Sequence, residues 1–255
     1  MVLAAVVLLA ITGLRRSREP ARVTSGQRVI LAFAGAALAV HFGAWIASLD
    51  YTSVAVSTLL VSTTPLWTAA YDALVHRRML AAPSAVAFAS GAVGLAMVVG
   101  FDRTAAPQPG HEWFGSALAL LGALGIAAYL LLARAVRSAL HTRAIVTHTY
   151  TWAALFLVLA AAAARQGPPR LTDTVAWGGI LAMAVVSQLL GHTALNAALR
   201  WFTPSAVAFA SLLEPVFAAL FAWFWIGERM GSWGWIGAGC IWAGILAVET
   251  IKTEK

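Results

Sequence analysis

Apolar residues fall in blocks close to 20 long, separated by short polar breaks, along the whole of this chain. A helix rises 1.5 Å per residue, so a block of that length crosses about 30 Å of hydrocarbon. The blocks lie near 29–49, 53–75, 84–101, 114–134, 144–164, 174–199, 204–226 and 232–250, and each is read as a transmembrane helix. A further block, 2–14, is shorter and would reach only about 20 Å. It makes a poor secretory signal, because Arg15, Arg16, Arg18 and Arg22 follow the apolar run instead of preceding it. Pro83, Pro204 and the Pro168-Pro169 pair sit at or between block ends, where a missing N–H costs nothing. The pattern predicts an all-α, polytopic membrane helix bundle of nine transmembrane helices, the first one short.

The stretch 102–112, with Pro107, Pro109 and Gly110, is the most turn-rich after the amino-terminal segment and divides the chain into 1–101 and 112–250. Setting residue n against residue n + 150 pairs Leu49 with Leu199, Pro65 with Pro215, Ala69 with Ala219, Gly94 with Gly244 and Val98 with Val248. Apolar helices match often by accident, so the paired mid-helix prolines carry most of the weight. Thirteen of the 17 Lys and Arg fall in alternate loops, beginning with Arg15 to Arg28 and ending with Lys252 and Lys255; Arg103, Arg165, Arg170 and Arg229 occupy the opposite set. By the positive-inside rule the carboxyl end is cytoplasmic, and an odd helix count then puts the amino end outside. The Pro65 helix therefore runs inward and the Pro215 helix outward, as in inverted-topology repeats. An outside start without a signal suggests that a first helix is missing upstream.

Composition narrows the classes. With 61% hydrophobic and only 11% charged residues, the chain lacks the polar surface of a water-soluble domain. The net charge of +7 sits in short clusters between apolar blocks, which reads as topology and not as a nucleic-acid face. The single cysteine, Cys240, excludes an intrachain disulfide and a thiolate metal cluster.

Polar groups inside spans are expensive, so each invites a functional reading beside a structural one. Gln188, His192 and Asn196 recur at four-residue spacing and would line one helix face, suited to a wet cavity or to gluing helices together. His41 and Trp45 form a similar pair in the first half, where a satisfied interior histidine is the alternative. Thr147, Tyr150 and Thr151 share a face that would extend the cavity or simply pack. Glu214, about ten residues into its block, is placed to couple proton movement to substrate movement, or to bond a backbone group freed by Pro215. Pro65 and Pro215 each remove a backbone hydrogen bond at mid-membrane, which leaves carbonyls open to substrate or water and provides hinges. Trp223, Trp225, Trp233 and Trp235 flank the last turn as interfacial anchors. Asp72 and His76 read as a surface pair.

Three features then carry a family resemblance: the Glu214-Pro215 pair, the Gly227-Glu228-Arg229 turn and the Gly-rich last helix, all within 198–248. With Ser62-Thr63-Thr64-Pro65-Leu66 at the matching place in the first half, the chain resembles EamA-like transporters of the drug/metabolite transporter (DMT) superfamily. The resemblance implies two EamA-like repeats, 1–101 (incomplete at its amino end) and 112–250, in a chain lacking its first helix. It also implies secondary transport exporting small metabolites such as amino acids, from the inner (plasma) membrane. Gln188, His192, Asn196, His41, Trp45 and Tyr150 would meet substrate, Glu214 would couple, and Pro65 and Pro215 would hinge. Expected partners are a small-molecule substrate, the lipid bilayer and a second copy in a homodimer, with no nucleic acid, metal or cofactor. Enzyme motifs are missing: Ser90-Gly91 lacks the glycine two residues before the serine, and no phosphate-binding loop occurs. The alternative is a truncated, non-transporting membrane partner or scaffold.

Overall fold

The computed structural model describes residues 1–14, 23–75, 82–101, 110–194 and 213–253. Every regular element among them is helical: α1 (Val2–Leu14), α2 (Ser25–Ser48), α3 (Val54–Val61), α4 (Thr64–Val75), α5 (Ala82–Phe101), α6 (Glu112–Val136), α7 (Thr142–Ala163), α8 (Thr174–Ala182), a π-helix (Met183–His192), α9 (Leu213–Ile226) and α10 (Ser232–Thr253). Four described helical stretches are long and apolar enough to cross a membrane: Ser25–Ser48, Glu112–Val136, Thr142–Ala163 and Thr174–Gly191. Large apolar side chains stand outward, with Phe33 64% and Phe224 80% exposed. That distribution suits a hydrocarbon solvent, in which Phe and Leu lose nothing by facing out.

The chain forms two compact units, and neither is one half of the sequence. The first comprises Met1–Ala39 and Ala128–Trp201, the second Val40–Ala127 and Phe202–Lys255. The chain passes from one to the other inside α2 and inside α6.

In the first unit α1 packs against α7 and the π-helix, and its Ala4, Ala5 and Leu8 are buried. Gly35 of α2 lies so close to Trp152 and Thr149 of α7 that an added Cβ would sit 3.0 Å from the Thr149 carbonyl oxygen. Small residues let membrane helices approach in this way and gain dispersion contact.

In the second unit the block expected as one span, 53–75, is two helices with a break at Ser62-Thr63. Proline explains the position of the break, since Pro65 has no N–H for the Val61 carbonyl and falls in the opening turn of α4, where that deficit is tolerated. The hydroxyl of Thr64 donates to the Val61 carbonyl at 2.7 Å instead. Ser62 donates to the Thr58 and Leu59 carbonyls at 2.9 Å each, and Thr63 to Leu60 at 2.6 Å. Each carbonyl expected to stand open at the Pro65 break is thus closed by a neighbouring hydroxyl, as lipid demands. The start of α3 is equally complete. Ser53 accepts from Val56 N–H at 3.1 Å, while both Glu228 carboxylate oxygens accept from Val54 N–H, at 2.9 and 3.2 Å. The first turn of a helix leaves such donors orphaned unless a cap supplies oxygen.

Gly227, at φ 71°, delivers Glu228 to this position. Its N–H bonds the Trp223 carbonyl at 3.1 Å, a left-handed cap that ends α9 and suits a residue without Cβ. Helices α5 and α10 also pack closely. A Cβ on Gly94 would lie 2.5 Å from the Gly237 carbonyl oxygen, and one on Gly237 would lie 2.7 Å from that of Gly94. The Ser90 hydroxyl donates to the Cys240 carbonyl at 2.9 Å. Ser90 meets Cys240 while Met97 and Val98 meet Gly237, so the two helices run in opposite senses.

Candidate functional site

Helix α7 begins after His141 and turns its Ile145, Val146, Thr149 and Tyr150 side inward. Its threonines divide into two kinds. Thr149 donates to the Ile145 carbonyl at 2.9 Å and Thr151 to Thr147 at 2.7 Å, so both hydroxyls are spent on their own helix. Thr147 is 6% exposed and its hydroxyl makes no hydrogen bond; Tyr150, one turn on, is 1% exposed and its hydroxyl makes none either. Tyr150 is turned toward Thr193 and stands beside buried Tyr129 of α6.

Thr193 caps the π-helix, whose bonding runs from each N–H to the carbonyl five residues back. In an α-helix, at 100° per residue, residues five apart point about 140° away from each other. The π register stacks them instead, and Thr193 donates from its hydroxyl to the Gln188 carbonyl at 3.2 Å. Gln188 itself is 4% exposed and its amide oxygen is buried without a hydrogen bond. Around it Val185, Val186 and Leu190 are 47%, 59% and 62% exposed, so the π-helix turns Gln188 in and these three apolar side chains out. Gln188 and Tyr150, both expected from the sequence, therefore lie in one unit and share Thr193 as a neighbour. Thr193 and Tyr129 were not expected. A lone Tyr inside the block 114–134 was the available signal for Tyr129; α spacing hid Thr193.

The other expected residues are placed differently. His192 ends the π-helix, and Asn196 lies outside the described residues. His41 belongs to the second unit, 4% exposed, with its Nδ1–H donating to the Gly122 carbonyl at 2.9 Å and its ring stacked on Trp45 at 5.9 Å between centroids. The Trp45 indole N–H is buried without a hydrogen bond. Glu214 and Pro215 occupy the opening turn of the described part of α9, with the Glu214 side chain exposed and, among the described residues, in no hydrogen bond or ion pair. Pro65 stands at the hydroxyl-closed break. Asp72 and the expected partner His76 are not both described, because His76 lies outside the described residues. Ser90, considered above as a nucleophile, is committed to the Cys240 carbonyl.

Among solved structures, one titled "Crystal structure of protein" is similar in fold, with a TM-score of 0.55 at 16% identity, covering 99% of this chain and 96% of that one. Curated proteins return no match. The sequence profile of the EamA-like transporter family matches residues 1–100 and again residues 113–250, nearly the whole chain. A helical chain with lipid-suited outer faces and that match over both segments is a multi-pass membrane transporter and not an enzyme: it belongs to the EamA-like transporter family of the DMT superfamily.

Proposed function

We propose that the chain is a secondary carrier exporting small polar or amphipathic metabolites, amino acids and related compounds among them, by alternating access, and that substrate binds at Gln188, Tyr150 and Thr147. One observation carries this reading: three polar atoms, Gln188 Oε1, Tyr150 Oη and Thr147 Oγ1, are buried in the first unit without hydrogen bonds. A buried polar group left unmade costs about 1–3 kcal/mol, so it persists where a ligand or water completes it. The π-helix supports the same reading, because π segments recur at functional sites and leave a backbone able to shift register.

Two inverted repeats, 1–101 and 112–250, building nine spans with the carboxyl end in the cytoplasm of a plasma-membrane carrier, complete the proposal. The Ser90 bond to Cys240 supports the repeat, since these residues are partners at the 150-residue offset. Around a two-fold axis lying in the membrane plane, equivalent residues meet and equivalent helices run oppositely. Helices α5 and α10 do both. In this scheme the α3–α4 break and Pro215 are the hinges and Glu214 couples flux to protons. A homodimer is compatible with the scheme.

Proteoliposomes loaded with amino acids, nucleosides or small organic cations test it. Gln188→Leu and Tyr150→Phe are expected to cut flux of the transported class at least tenfold, and Glu214→Gln to flatten its pH dependence. Wild-type rates in both site variants would move the site elsewhere; no flux of any class under an imposed gradient would sink the carrier reading.

A further inference from the structure

At the end of the second unit where α9 turns into α10, a cleft of about 340 Å³ opens to the surface. Ala55, Ala219 and Leu220 line it, Trp223 and Trp235 border it, and Glu228 and Arg229 stand at the turn. Its volume is within the range of small-ligand sites. Its surroundings are apolar and outward: Phe224, Trp225, Ile226 and Ile236 are 80%, 76%, 66% and 51% exposed. A cleft set in such a surface is filled from the bilayer more readily than from water, and indoles mark headgroup depth.

The two charges at the turn are not equivalent. The Glu228 carboxylate accepts from the N–H group of Val54 through both oxygens. The exposed Arg229 makes no ion pair among the described residues. The donor left free at the turn is therefore the Arg229 guanidinium, above an apolar slot bordered by two indoles. A guanidinium binds a phosphate in a forked, charge-assisted geometry, and the slot suits the first carbons of an acyl chain. We infer that this cleft binds an anionic phospholipid, with the phosphate on Arg229 and the proximal chain against Leu220, Trp223 and Trp235. Occupancy would brace the α9–α10 turn, and through Glu228 the start of α3.

The test uses the full chain in nanodiscs of phosphatidylcholine carrying 10 mol% of brominated phosphatidylglycerol or, in parallel, 10 mol% of brominated phosphatidylcholine, whose bromines quench nearby indoles. The expected result is several-fold stronger quenching by the glycerol lipid. That excess should vanish in the double variant Trp223→Phe/Trp235→Phe, disappear in Arg229→Gln and return in Arg229→Lys. Equal quenching by the two lipids in the wild-type chain would overturn the inference, and so would an excess that survives Arg229→Gln. Quenching reversed by aqueous octyl phosphate without any preference between the lipids would assign the cleft to a soluble amphipathic anion and overturn it as a lipid site.

Discussion

The two units differ in how completely they satisfy their buried polar atoms. In the second, Ser62, Thr63, Thr64, Ser90 and His41 each donate to a backbone carbonyl, and Ser48 bonds Ser57 at 2.6 Å; the indoles of Trp45 and Trp242 are the exceptions. In the first, Thr149 and Thr151 are likewise spent on their own helix, but the hydroxyls of Thr147 and Tyr150 and the amide oxygen of Gln188 make no hydrogen bond. Polarity inside a membrane is thus no guide to function until its hydrogen bonds are traced. Satisfied groups stiffen a fold, while unsatisfied ones store a cost that a ligand can relieve.

The strongest way to break this contrast is at the α5–α10 contact. Gly94→Leu is expected to destabilise by on the order of 3 kcal/mol, since the new Cβ meets backbone that cannot swing aside. Denaturation in mild detergent measures it, with Gly94→Ala as the smaller step; an unchanged curve would mean the helices are not in close contact.

Next come changes that sort polar groups into the two kinds. Thr64→Val should cost about 1 kcal/mol, because the Val61 carbonyl loses its donor. Gln188→Leu should leave the melting temperature unchanged or raise it, because an unmade acceptor is removed. A clear loss of stability in Gln188→Leu would put that side chain with the structural group.

Glu228 allows a test by pH. Glu228→Ala is expected to cost about 0.5–2 kcal/mol, as for other lost helix caps. In the wild-type chain burial pushes the Glu228 carboxyl above its ordinary 4.5, opposed by the hydrogen bonds it accepts from the Val54 N–H. The folded state then holds the proton more firmly than the unfolded state. This group's contribution is fully present below 4.5 and is lost as pH rises through the raised folded value. Glu228→Gln should erase that slope and keep an acceptor for Val54, so subtracting the variant's stability-versus-pH curve from that of the wild-type chain isolates it. A slope of opposite sign would show that the hydrogen bonds outweigh burial. The smallest effect is expected at Arg165, which closes α7 at φ 56° with Gln166 N–H on the Ala161 carbonyl at 2.8 Å. Arg165→Gly should gain about 0.5–1 kcal/mol in the same melts, by relieving a left-handed residue that carries a Cβ.

Membrane character was legible in the sequence because hydrocarbon imposes a length and a polarity on each span, both visible residue by residue. Gln188 stood out for the same reason, as a long polar group in an apolar block, and Tyr150 by its place on the Thr147 face. Three things were not legible. The break at Ser62-Thr63 depends on how the Pro65 deficit is shared among hydroxyls. Glu228 reaches α3 across 174 positions of sequence, so neither end announces the other. The π register of Met183–His192 changes which residues share a face, and no α-helical spacing foretells it.

The order of apolar and polar residues alone determined that this chain lives in lipid as helices, since burying backbone polarity without water admits little else. Tertiary structure decided which polar side chains are consumed by the fold and which stay available. That outcome turns on distances of a few tenths of an ångström between residues far apart in the chain, and a linear sequence does not contain them.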